Sequence, residues 1–177
     1  MSQRLPDHLD PWRFADLGKV VEGGVLPLEG MSRLRECLRE DSGEAVFDLS
    51  FARDEQRRAV VTGRIRAQLR LQCQRCLETV VHGVDAEVSI AFVEGYDQAA
   101  QLPDSLDPCL VEEGGRVRLL DLIEDELLLQ LPQVAMHEAG SCPVMLTGTT
   151  GEKPSQTDVQ PENNPFALLA GLKGKQD

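Results

Sequence analysis

The sequence predicts an α+β fold in which an antiparallel sheet, a meander of long strands, is packed by a leucine-rich helix and followed by a flexible C-terminal tail. Three observations carry that prediction. From Glu44 to Phe92 apolar residues recur at every second position, the period of strands with one buried and one solvated face. Leu119 to Leu131 is a run of strong helix formers closed by Pro132. From Leu146 to Asn164 periodicity disappears.

Taken in order, the first ten residues read as a polar lead-in, and Lys19 to Leu28 as a short extended segment interrupted by Gly23 and Gly24. Met31, Leu34, Cys37 and Leu38 are spaced by three and four, which predicts a short amphipathic helix over Met31 to Arg39 with Cys37 in the core. In the first long strand Ala45, Phe47, Leu49 and Phe51 alternate with mostly polar neighbours. In the second, Ala59, Val61, Ile65, Ala67, Leu69 and Leu71 form the apolar face, and only Val60 interrupts the polar one. Val80, Val84, Ala86, Val88, Ile90 and Phe92 continue the phase in a third, and one-sided burial of this kind suits an antiparallel sheet. Short strands are expected at Cys109 to Glu112 and Arg116 to Leu119, ahead of the leucine-rich helix, whose early acids complement the helix dipole.

These elements place a single domain in residues 1–145. Residues 146–164, rich in Gly, Thr, Pro and polar side chains, read as a flexible linker. In residues 165–177 apolar character returns: Asn164 can cap, Pro165 suits a first helical position, and Phe166, Leu169 and Leu172 recur at helical spacing. That segment either docks on a partner from its tether or folds back on the core.

A formal charge of -12 in 177 residues argues against broad binding of a phosphate backbone, whose affinity comes from Lys and Arg. No run approaches the length of apolar sequence that a membrane span needs, and Asp7 and Asp10 stand where a signal peptide would be basic and then apolar, so the expected location is the cytoplasm. No phosphate-binding loop, G-x-G-x-x-G or G-x-S-x-G motif is present, and no small-molecule substrate is indicated.

Five cysteines in a cytosolic chain point to free thiols or a metal rather than a disulfide framework. Cys73 and Cys76 form a C-x-x-C pair at a junction of two strands, where a tight turn can aim both thiolates at one ion. His137 and Cys142, after the helix, could complete a set of three cysteines and one histidine around structural zinc. Unligated thiols and thiol redox chemistry are the other readings, although thioredoxin-like chemistry normally follows its C-x-x-C with a helix. Adjacent helical residues fan out by about 100 degrees, so Glu124, Asp125 and Glu126 read as a solvated face, not a convergent carboxylate site. Arg58, Arg64, Arg66 and Arg70 line one side of the second strand. At roughly 6.6–6.8 Å between alternate residues they could follow an RNA backbone. They could equally pair with acids of neighbouring strands such as Asp48, Asp85 and Glu87, and the abundance of acids favours pairing.

Four segments in the same order give the chain a resemblance to the YceD family of large ribosomal RNA subunit accumulation proteins. They are Leu69 to Cys76, Asp121 to Leu127 continuing to Leu131-Pro132, His137 with Cys142, and Asn164 to Leu169. The resemblance implies a non-enzymatic accessory role in synthesis, processing or stability of 23S rRNA. It also implies that zinc is not indispensable to the shared fold, because relatives differ in how completely they keep the cysteines. The partners it implies are a ribosomal or ribosome-assembly protein, precursor 23S rRNA, or both. The alternative is an RNA-processing enzyme built on the Glu124 to Glu126 acids, or a thiol oxidoreductase using Cys73 and Cys76.

Overall fold

A computed structural model describes residues 7–112 and 115–142. The linker 146–164 and the tail residues Pro165, Phe166, Leu169 and Leu172 lie outside the described residues. The described chain is mixed α+β, with one mostly antiparallel sheet and few helices.

The strands of the sheet are β2 (Val20–Pro27), β3 (Glu44–Arg53), β4 (Ala59–Gln72), β5 (Thr79–Val93) and β6 (Asp107–Leu110), in that spatial order. β2 through β5 are antiparallel neighbours, as the period-two pattern requires, whereas β6 lies parallel to β5. The parallel edge follows from the longer connection through the short helix α3 (Tyr96–Ala99), since a tight hairpin can only return antiparallel. β1 (His8–Leu9) pairs separately with β7 (Val117–Arg118).

The alternating residues of β3, β4 and β5 fall as their period predicts. Phe47, Leu49, Val61, Ile65, Leu69 and Val88 are among those buried on one face. Val60, the exception on the polar side of β4, sits opposite Ala91 of β5, and both are buried. β2 is bulged between Val21 and Gly24, with Gly23 at φ +60°, a conformation glycine adopts without strain. The Phe47 ring lies directly over Gly24, where a Cβ would be 2.4 Å from it.

Two N-terminal features depart from the polar lead-in that composition suggests. Leu9 is buried, and Asp10 caps α1 (Pro11–Asp16) by accepting the Arg13 N–H at 3.0 Å, with proline in the first turn. From α1, Phe14 meets Phe51 edge-on at 5.4 Å, and Phe51 stacks near Phe92 at 6.3 Å. These three phenylalanines, with Phe47, join a mainly aliphatic core. The helix expected over Met31 to Arg39 is only α2 (Ser32–Arg35); Met31 and Leu34 are buried, but Cys37 lies past its end and is exposed. The leucine-rich helix is α4 (Leu119–Leu129), packed against β4, β5 and α2 through Leu119, Leu122, Ile123 and Leu127.

Candidate metal centre

At the end of β4 the chain turns sharply back into β5. The Cys73 N–H donates to the Glu78 carbonyl at 2.8 Å, and the Leu77 N–H donates to the Cys73 carbonyl at 2.8 Å. Leu77 takes φ +65°, an uncommon conformation for a non-glycine residue, and the turn brings Cys73 and Cys76 to one side. A strand, not a helix, follows this C-x-x-C pair. After α4 the chain passes the same turn, where the Gln74 N–H donates to the Ala135 carbonyl at 2.9 Å, and this places His137 and Cys142 beside the pair.

The four ligating atoms lie within 4.8 Å of one another. Cys73 Sγ is 3.9 Å from Cys142 Sγ, while His137 Nδ1 is 3.4 Å from Cys76 Sγ and 3.7 Å from Cys142 Sγ. Bond lengths of about 2.3 Å to sulfur and about 2.0–2.1 Å to nitrogen at tetrahedral angles give edges of about 3.8 Å (S···S) and about 3.6 Å (S···N). These three separations are close to those edges, and with all four atoms inside 4.8 Å the donor set suits a tetrahedral ion such as zinc. Three thiolates and an imidazole form the closed, soft-ligand set of structural zinc sites.

The surroundings suit that role. His137 Nε2 lies 3.1 Å from the Thr79 carbonyl; donation there leaves Nδ1 free as a ligand. Burial alone would raise the Cys73 thiol, but N–H groups of Cys76, His137 and Arg75 directed at its sulfur prevail and lower it to about 5. Hydrogen bonds to the sulfurs of Cys73 and Cys142 in turn push His137 upward. Three thiolates around a divalent ion leave one negative charge. Arg75, inside the C-x-x-C pair, answers it: Nε donates to Cys142 Sγ at 3.0 Å, and Nη2 donates to the carbonyls of His137 at 3.1 Å and Glu138 at 3.0 Å. Nothing in the pair's spacing singled out Arg75.

The arginines occupy two settings. Arg58 lies in the turn before β4 and pairs with Asp54 at 2.6 Å. Arg64, Arg66 and Arg70 share the solvent face of β4. Arg64 makes a two-pronged contact with Asp85, one bond at 3.0 Å; Arg66 lies 3.7 Å from Asp48 and 3.6 Å from Asp85. Arg70 lies 3.7 Å from Glu40 and donates to the Ser42 carbonyl at 2.8 Å.

The α4 acids correct the expectation of a solvated face. Of Glu124, Asp125 and Glu126 only Asp125 is exposed. Glu124 is 2% exposed; its Oε1 accepts the N–H groups of Arg33 at 2.7 Å and Leu34 at 3.0 Å, and its Oε2 accepts from the Arg33 guanidinium at 2.9 Å and 3.1 Å. Met31, at the N-cap of α2, has no capping side chain, so Glu124 supplies the cap from another helix. Burial would raise Glu124, but the N–H groups of Leu34 and Arg33 and the Arg33 guanidinium prevail and hold it below the usual carboxylate value. Glu126 is buried with no such donors among the described residues, and burial, then Asp107 and Asp125, push it up.

The profile of the family described as large ribosomal RNA subunit accumulation protein YceD matches residues 61–173, a span that contains all four candidate ligands. The chain belongs to the YceD family. It is similar to the large ribosomal RNA subunit accumulation protein YceD of Haemophilus influenzae, 34% identical over 173 residues, which cover 97% of this chain and 98% of that relative. No solved structure matches this YceD-family chain. Among its described residues no helix is long and apolar enough to cross a membrane.

Proposed function

We propose that the chain is a non-enzymatic accessory factor of large ribosomal subunit biogenesis, acting in the cytoplasm. In this reading it supports synthesis, processing or stability of 23S rRNA by binding a ribosomal or assembly protein, precursor 23S rRNA, or both. The likeness to a protein named for large ribosomal RNA accumulation, along nearly the full length of both chains, carries the proposal. The side-chain chemistry supports it. Glu124 spends both carboxylate oxygens on α2, and the Cys73, Cys76, His137 and Cys142 set leaves no open coordination position at which a substrate could react.

In this reading zinc is structural, held by those four residues, and joins the β4–β5 turn to the segment after α4. Arg58, Arg64, Arg66 and Arg70 mark the contact side of the domain, and Pro165, Phe166, Leu169 and Leu172 form a docking segment. The test is complementation in cells lacking the protein, combined with a pull-down of the tagged chain at low and moderate salt. Recovery of 23S rRNA levels together with large-subunit precursors or assembly proteins supports the reading. Failure of the wild-type chain to restore 23S rRNA overturns it. Failure of Glu124→Gln or Asp125→Asn to restore it, with the fold intact, favours catalysis instead.

A further inference from the structure

We propose that the solvent face of the sheet docks a Lys/Arg-rich protein segment carrying aliphatic side chains, through the groove beside Val46, Arg66 and Gly83. This rests on the biogenesis reading and selects, between its two partner classes, protein over RNA.

The face is unusual for a solvated one. Val25, Val46, Arg66 and Asp85 stand in one cross-strand row from β2 to β5. Exposed valines recur along the face: Val20 at 52%, Val25 at 46%, Val46 at 37% and Val81 at 57%. Gly43 and Gly83 contribute no side chains beside Arg70 and Gln68, and a groove of about 570 Å³ opens there. Aliphatic floor and missing side chains together offer a shape that an extended segment with alternating apolar residues can fill.

Charge selects the occupant. Arg64, Arg66 and Arg70 each already face a carboxylate, so an incoming phosphate would have to displace Asp85, Asp48 or Glu40 and would gain little from the exchange. Four carboxylates, Glu44, Asp48, Asp85 and Glu87, share this face with the three guanidiniums. Among the described residues Glu44 and Glu87 form no close ion pair; Glu87 stands opposite Arg64 across β4 and β5, and Glu44 above all remains available to cations of a partner. The chain's charge of -12 adds attraction for a basic protein and repulsion for RNA.

The experiment uses the full chain and two fluorescent probes at low salt: a synthetic peptide alternating Lys or Arg with Val or Ile, and a single-stranded RNA 20-mer. Glu44→Gln with Glu87→Gln should weaken the peptide about fivefold, because each exposed charge pair is worth about 0.2–1 kcal/mol. Val46→Ser should weaken it further, and the triple change Arg64→Gln, Arg66→Gln, Arg70→Gln should leave it equal or tighter by freeing Asp48 and Asp85. Unchanged peptide affinity in the glutamate variant, or no peptide binding by the wild type, overturns the proposal. So does RNA binding that is lost in the arginine variant. In cells lacking the protein, a folded Glu44→Gln, Glu87→Gln, Val46→Ser chain should fail to restore 23S rRNA where the wild type succeeds. If it restores rRNA fully, the surface is wrong and the biogenesis reading stands; if the wild type itself fails, the biogenesis reading falls and the peptide measurements judge the surface alone.

Discussion

Replacing Glu124 with alanine removes a carboxylate that is 2% exposed and that satisfies two backbone N–H groups at the start of α2. Each N–H left without a partner in a buried setting costs about 1–3 kcal/mol. The Arg33 side chain is half exposed and can turn to water, so its lost pair adds little. The expected loss is therefore about 3 kcal/mol, or a fall in Tm of about 6–12 °C for a domain of this size. Glu124→Gln keeps an oxygen for the two N–H groups but loses the charge and the oxygen that accepts from the half-exposed Arg33 guanidinium, so about 1–2 kcal/mol is expected. pH separates this account from a simple packing defect. Because the folded carboxyl titrates below its ordinary value of 4.5, its contribution is complete above that value and fades as pH falls through the folded pKa. Wild type and Glu124→Gln should differ most near neutrality and converge in acid, measured by urea unfolding followed by circular dichroism. A Glu124→Ala protein within about 0.5 kcal/mol of wild type at pH 7 would refute the capping argument, since that is the scatter of an ordinary surface change.

Glu126, two residues on, should behave oppositely: its folded pKa is raised, so it costs stability as pH rises through that value, and Glu126→Gln should raise Tm at pH 7 by about 1–3 °C yet change nothing near pH 4. Gly24→Ala should cost about 2 kcal/mol in chemical denaturation, because its Cβ would press on the Phe47 ring at 2.4 Å and Phe47 is fully buried. Purified protein should contain one zinc per chain by elemental mass spectrometry, falling to a small fraction in Cys73→Ser or Cys142→Ser. Removing the metal with a chelator should speed hydrogen exchange at Gln74, whose N–H bonds to Ala135, while the amides of β3 and the centre of β4 stay protected. Uniform loss of protection would mean that the whole fold, not the attached segment, depends on the metal.

The long strands were legible because β3, β4 and β5 each obey one rule along ten or more residues: alternate side chains go to opposite faces. The cysteine and histidine set was half legible. C-x-x-C announces a turn, but nothing in the four-residue gap between His137 and Cys142 reports that the segment after α4 passes β4; that depends on where α4 ends against the sheet. Cys37 misled because a spacing of three continues a helical stripe only while the helix lasts, and α2 stops at Arg35. Glu124 was illegible for a related reason. The angular fan between adjacent acids is a local property, whereas the two N–H groups that make this site favourable for a carboxylate belong to a helix ninety residues earlier in the chain.

The distant cap ties α4 to α2, and the four-residue cluster lies on the segment that follows α4. α4 buries Leu119, Leu122, Ile123 and Leu127, enough to hold its own apolar face. The segment that follows is different: Leu131 and Ala135 are only partly buried, and Val134 and Met136 are exposed, so hydrophobic burial gives it little reason to stay. What fixes it are polar contacts, namely Gln74 to Ala135, Arg75 to two carbonyls, His137 to Thr79, and the thiol cluster. Structural zinc binding is worth about 10–16 kcal/mol in small peptides, far more than these hydrogen bonds at about 1 kcal/mol each. Ligation would therefore hold a segment whose own apolar packing is thin. A relative that has lost its cysteines should carry larger buried apolar residues at the positions of Val134 and Met136 in compensation.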